Sequence, residues 1–307
     1  MNLYHFLIKR QMNKDRIDIF KRSEFLNRPL ILDGANGSLL QQKNIPLHNN
    51  LWSSIVNITH PEEVLKIHKE YIDAGAEIVT TNTFRTNPNA VRNSNLNITN
   101  EEFIRCGVQL AIKSAENYIG IIIAGSNPPA EDCYQVERSI PVNKLEYNHK
   151  LQIEQLWENG CDIIWNETQS HWDELKIIST FCSENGYPFV INLYFSDELT
   201  ILSGEPLNEA VSYISGFSPK AIGFNCIRPE LLKKYFENYS PPDNWGFYFN
   251  CGHDSPAGQI IDCAVDSHDY AEEVKPLLDL KPLFAGSCCG SNPDHTKAIK
   301  RLFDEVY

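Results

Sequence analysis

The chain has 307 residues, 42% hydrophobic and 22% charged, with a formal net charge of −13. That balance supports a sizeable core and excludes bulk disorder, while the negative charge argues against nucleic acid or an anionic membrane as partner and favours small neutral, zwitterionic or cationic ligands. No apolar run approaches the roughly 20 residues of a bilayer span, residues 1–25 carry mixed charge without a signal-like apolar core, and nine scattered cysteines in a chain too large to need disulfide staples point to a reducing, cytoplasmic setting.

Residues 1–28 are expected to be an N-terminal extension, and 29–307 a single domain. From residue 29, short apolar runs rich in β-branched and aromatic residues alternate with amphipathic stretches of helical length. PLILDG (29–34) comes first, then EIVTTNTF (77–84) after the helix pattern of 61–76, in which Pro61 opens the first turn and Gly75 closes the last. GIIIAGSN (120–127) follows a helix over 101–118, CDIIWNET (161–168) one over 149–160, and PFVINLYF (188–195) one over 171–186. AIGFNC (221–226), WGFYFNC (245–251) and PLFAGSCC (282–289) follow helices over 206–217, 229–239 and 268–280, and a last helix spans 293–307. Runs apolar on both faces suit buried parallel strands, and eight strands each followed by a helix predict an α/β fold, a (β/α)8 TIM barrel. Segments 35–60, 85–100, 127–148 and 252–267 are expected to be long loops at the C-terminal face, where this fold binds substrates.

Polar residues ending the strands rim that face: Asp33, Asn82, Thr83, Ser126, Glu167, Cys226, Asn250, Cys251, Cys288 and Cys289. Cysteines closing the last three strands converge on one side, and three sulfurs with a vacant corner describe a zinc site open to substrate. Cys288 and Cys289, flanked by Gly286 and Gly290, supply two; Cys226 and Cys251 compete as the third, and Asn250 stands close enough to lend the metal an oxygen. Asp33 and Glu167 end strands on the same rim, where carboxylates suit the ammonium of a zwitterion.

DGANGSLL (33–40), Trp52 with HPEEVLKIHKEYIDAGAEIVTTNTF (60–84), GFNC (223–226) and GSCCGSNPDHTKAI (286–299) together resemble the homocysteine S-methyltransferase family. The resemblance runs from about residue 29 to 305. It implies a cytoplasmic zinc enzyme whose Zn2+ is held by Cys226, Cys288 and Cys289, with the thiolate of homocysteine in the fourth position and methionine as product. It also implies that Asp33 and Glu167 hold the substrate's amino group; backbone N–H groups near Gly34 are placed for its carboxylate, and Asn82, Trp52 and Asn250 are further substrate-binding candidates. The methyl donor would be a small cation, for which Trp52, Phe84 and Tyr194 offer cation–π faces. A sulfonium, S-methylmethionine or S-adenosylmethionine, is expected over betaine, because Thr168 follows Glu167 where betaine users carry an aromatic. The sequence departs from the family at GSNPPAEDCYQ (125–135), at Ser287 and at ANG (35–37), all near the expected donor pocket. Two rivals remain, a barrel that binds zinc and thiol without transferring methyl and a metal-free lyase using Asp33 and Glu167. Assembly into a homo-oligomer is compatible with the sequence.

Overall fold

Eight parallel strands form one sheet: β1 (Leu30–Ile31), β2 (Ile78–Thr80), β3 (Ile122–Asn127), β4 (Ile163–Gln169), β5 (Phe189–Leu193), β6 (Ala221–Asn225), β7 (Trp245–Phe249) and β8 (Phe284–Ser287). Their order, β1-β8-β7-β6-β5-β4-β3-β2, leaves β1 and β2 at the two edges. A parallel bridge from Leu32 to Ile78 closes them, with the Asp33 N–H donating to the Ile78 carbonyl at 2.9 Å and the Glu77 N–H to the Ile31 carbonyl at 2.8 Å. The fold is therefore the expected (β/α)8 barrel. It is seen in a computed structural model that describes residues 16–252 and 261–307. Residues 1–15 of the expected extension and 253–260 of the expected loop 252–267 lie outside the described residues.

Strand residues are buried on both faces because one face lines the barrel and the other meets helices. Inside, Leu30, Leu32, Ile78, Ile122, Ile163, Trp165, Val190 and Phe284 form one cluster. Trp165 and Phe284 meet edge to face at 4.7 Å, and the Phe284 ring occupies the space a Cβ on Gly246 would need. The helix Ile19–Leu26, capped by the Asp18 carboxylate, adds Ile19 to this cluster from the N-terminal end of the barrel. Part of the 1–28 segment thus packs under the barrel, tied by Asp18 to Lys220 at 3.1 Å.

The helix Pro61–Ala74 begins at its proline and ends at Gly75, whose φ of +116° suits glycine. Other boundaries differ from expectation. The helix expected over 149–160 starts at Val142, since Leu145 is the one buried apolar side chain in its first turn and a half and gives no periodic stripe. The helix expected over 268–280 is α-helical only over Ser267–Val274 and continues as a 3-10 turn over Lys275–Leu280, where Pro276 has no N–H to donate. The strand expected over 77–84 pairs only to Thr80, beyond which TNTF bonds sideways. The expected loops 35–60 and 85–100 contain short helices over Asn36–Gln42, Val56–Thr59 and Pro88–Asn93. No helix among the described residues is long and apolar enough to cross a membrane.

Candidate active site

At the C-terminal mouth the sulfurs of Cys226, Cys288 and Cys289 all lie within 4.8 Å of one another. The Cys226 and Cys288 sulfurs are in direct contact, and those of Cys288 and Cys289 are 4.0 Å apart. Adjacent residues on a continuing strand would face opposite ways. Here β8 ends at Ser287, the Cys288 N–H takes the Phe249 carbonyl at 2.7 Å, and the chain turns at Gly290 with φ +84°, which lets both thiols face the cluster. A Cβ on Gly290 would lie 2.5 Å from the Gly252 nitrogen and 2.7 Å from the Asp262 carbonyl oxygen. Gly290→Ala is accordingly expected to cost at least about 2 kcal/mol of stability and to disturb the thiol cluster, read as a lowered Tm with reduced metal uptake.

The Cys226 side of the cluster is set by β4 and β6. The β4–β5 register shifts between Asn166 and Gln169, and within this bulge Thr168 adopts φ +55°, matched by φ +54° at Cys226. Both are left-handed conformations that non-glycine residues rarely hold. Asn225 bridges them: its Oδ1 accepts the Thr168 N–H at 2.9 Å, and its Nδ2 donates to Thr168 Oγ1 at 2.9 Å and to Cys226 Sγ at 3.4 Å. The same bulge turns Glu167 into the mouth.

Asp33 and Glu167 face one another electrostatically across this mouth. Burial pushes the Asp33 carboxyl well above the usual range, against the pull of the Thr80 N–H and hydroxyl at 3.0 Å each, with the Glu167 charge raising it further. Burial likewise lifts Glu167 to about 7, offset by the Ser126 and Tyr248 hydroxyls; the Tyr248 hydroxyl donates to its Oε2 at 3.4 Å. A buried and a partly buried carboxyl that feel each other's charge form a site suited to a cation. The Cys289 thiol is pushed up to about 11, first by burial and then by the Glu167 charge, so thiolates here also need a positive partner.

Trp52, with φ +43°, lays its ring where a Cβ on Gly37 would stand, and meets Phe84 edge to face at 6.3 Å. This accounts for the glycine of ANG. Gly34 is packed so closely that a Cβ would lie 2.7 Å from Ser291 Oγ and the Tyr71 ring. Asn82 spends its amide on the Trp52 segment, bonding Ser53 and Asn57 at 2.9 Å. Asn250 Oδ1 accepts the Gly252 N–H at 3.2 Å. Cys251 is buried, its Sγ directed at the Phe249 carbonyl at 3.7 Å, and it is not among the clustered sulfurs.

A tetrahedral ion with metal–sulfur bonds of about 2.3 Å needs sulfur separations of about 3.8 Å; Cys288 and Cys289, 4.0 Å apart, already have that spacing, whereas Cys226 and Cys288, in direct contact, must move apart and be reduced thiols to hold it. Among the described residues no fourth cysteine, histidine or carboxylate joins the group, leaving one corner for a ligand from outside. Sequence reasoning named the sulfurs and both acids but passed over Asn225 and Tyr248. The asparagine preceding the strand-end cysteine was visible in GFNC; Tyr248 looked like one more core aromatic in WGFYFNC.

A family model described as homocysteine S-methyltransferase matches residues 30–303. The homocysteine S-methyltransferase of Escherichia coli (strain K12) is 27% identical over 301 residues, covering 88% of this chain and 94% of that protein. Homocysteine S-methyltransferase YbgG of Bacillus subtilis (strain 168) is 24% identical, covering 88% and 93%. Among solved structures, the metallated form of the E. coli homocysteine methyltransferase MmuM superposes with a TM-score of 0.75 at 22% identity, covering 92% of this chain and 99% of that one.

Proposed function

The chain belongs to the homocysteine S-methyltransferase family, whose reaction is methyl transfer to homocysteine, and we propose that it works with zinc held by Cys226, Cys288 and Cys289 and takes its methyl group from a sulfonium donor. What supports this reading is the cluster of three sulfurs with no fourth protein donor among the described residues, beside the buried Asp33 and partly buried Glu167 carboxyls on the same rim. Bound zinc would lower the pKa of the incoming thiol, so that its sulfur is anionic at neutral pH.

The chain's own residues do the positioning. Asp33 and Glu167 take the ammonium of homocysteine; backbone N–H groups near Gly34 take its carboxylate. With the amino-acid end held on the β1–β4 side, the thiol is directed at the sulfurs of β6 and β8. Asn225 keeps the β4 bulge and Cys226 in register, which aligns the acid and the sulfur that hold opposite ends of one substrate. The homocysteine sulfur forms the new bond to the methyl carbon while the carbon–sulfonium bond breaks, its electron pair neutralising the departing sulfur. Such an in-line displacement depends on alignment more than on a general acid. The negatively charged, aromatic mouth, with Trp52 and Phe84 on one side, suits the donor's charge.

The test is a methyl-transfer assay on protein purified under reducing conditions, with homocysteine and S-methylmethionine, S-adenosylmethionine or glycine betaine. The expected result is methionine formation with a sulfonium donor, about one zinc per chain, and loss of turnover on chelation that zinc restores. Undiminished turnover in metal-free protein would refute the zinc assignment, and turnover with betaine alone would refute the donor.

A further inference from the structure

The stretch GSNPPAEDCYQ departs from the family pattern, and it leads into a loop fastened to four other elements. Glu174, fully buried on the helix Trp172–Glu184, accepts the Ala130 N–H at 2.8 Å and contacts His149 Nε2 at 2.9 Å. Arg138 reaches from the loop's far end to Glu174 at 3.1 Å and also pairs with Asp173. Arg85 donates to the Glu131 carbonyl at 2.9 Å and to Asp132 at 3.2 Å, Asn89 donates to the Ala130 carbonyl at 3.2 Å, and His171 holds the Val136 carbonyl at 3.0 Å. A buried carboxylate is costly unless it is well partnered; Glu174 finds partners in the Ala130 N–H and Arg138 of the loop, so the contacts that satisfy it also hold the loop in one conformation.

What the loop presents is Tyr134. Its ring packs edge to face on Tyr194, centroids 5.0 Å apart, and remains 47% exposed. Tyr194 directly follows β5, the strand between β4, which carries Glu167, and β6, which leads into Cys226. By strand order the aromatic pair therefore stands on the rim between the strands that lead into the acid and into Cys226. The loop thus fixes a half-exposed ring on the rim of the mouth, against the end of β5.

We propose that Tyr134, held against Tyr194 by the fastened loop 128–140, forms a wall of the methyl-donor pocket and determines which methylated onium centre is accepted. This rests on the reading of the chain as a methyltransferase. An aromatic face attracts the donor's cation, and the donor sulfur and methyl still carry much of that charge in the transition state and lose it only as the methyl is delivered, so the contact holds bound donor and transition state alike and is weakened in the departing product. Loss of the ring is accordingly expected in the donor KM and not in kcat.

The experiment compares wild type, Tyr134→Ala and Tyr134→Phe with S-methylmethionine, S-adenosylmethionine and glycine betaine as donors, varying donor and homocysteine separately. Tyr134→Ala is expected to raise the KM of the working donor roughly tenfold, the scale of one cation–π contact, with kcat within about threefold, homocysteine KM and zinc content unchanged, and an altered ratio of sulfonium to betaine use. Tyr134→Phe, which keeps the ring face, is expected within about threefold of wild type throughout. A donor KM unchanged in Tyr134→Ala, or a rise in homocysteine KM equal to that for donor, would overturn the proposal while leaving the methyltransferase reading intact. A wild-type protein silent with all three donors would overturn both.

Discussion

On the proposed zinc assignment, Cys288→Ser protein is expected to retain its fold, bind no zinc and show methyl transfer reduced by well over a hundredfold. The exchange of sulfur for oxygen is nearly isosteric, and Cys288 lies where β8 is already anchored by its N–H to the Phe249 carbonyl, so the backbone has no reason to move. What changes is the ligand set: two clustered sulfurs remain of three, and a neutral hydroxyl is a poor donor to zinc. Loss of a hydrogen-bond partner to a metal ligand already costs about 10- to 100-fold in affinity or activity, and loss of the ligand itself costs more. Metal content and kcat/KM on protein of unchanged circular dichroism check this. Full zinc with full turnover would mean that Cys288 is not a ligand.

Glu167→Gln should act on homocysteine capture and on pH dependence together. In the free enzyme burial holds this carboxyl up to about 7, so only above that pH does it carry the charge that, on the proposed reading, pairs with the ammonium of homocysteine. Wild-type kcat/KM for homocysteine is therefore expected to fall about tenfold per unit as pH drops below 7. The glutamine variant should lose that limb and, through the missing charge-assisted bond, on the order of a hundredfold in homocysteine KM. Stability runs the other way. The folded pKa is raised above the unfolded value, so the fold favours the protonated form. Its stabilising share is complete at low pH and lost as pH rises from about 4.5 to about 7, amounting to no more than about 3 kcal/mol. Substrate-free Glu167→Gln should accordingly melt higher than wild type at pH 8 and match it at pH 4. Equal melting temperatures at both pH values would remove the burial argument for Glu167.

Local pattern determined much of this protein. Eight apolar runs buried on both faces and the helices between them specified the barrel, because parallel strands need a crossover and bury both sides. Strand ends specified the mouth, so Asp33, Glu167, Cys226 and the vicinal pair Cys288–Cys289 were legible as a group before any coordinates. Only tertiary structure decided how adjacent thiols turn the same way, since that depends on β8 stopping at Ser287 and on Gly290 passing close to the Gly252 backbone. It also separated Cys226 from Cys251, two strand-end cysteines of equal standing in the sequence, by turning the Cys251 sulfur toward the Phe249 carbonyl. The β4 bulge, the Asn225 bridge and the fastening of loop 128–140 by Glu174 were equally hidden. Each joins residues tens of positions apart, and periodicity reports only neighbours one or two turns away.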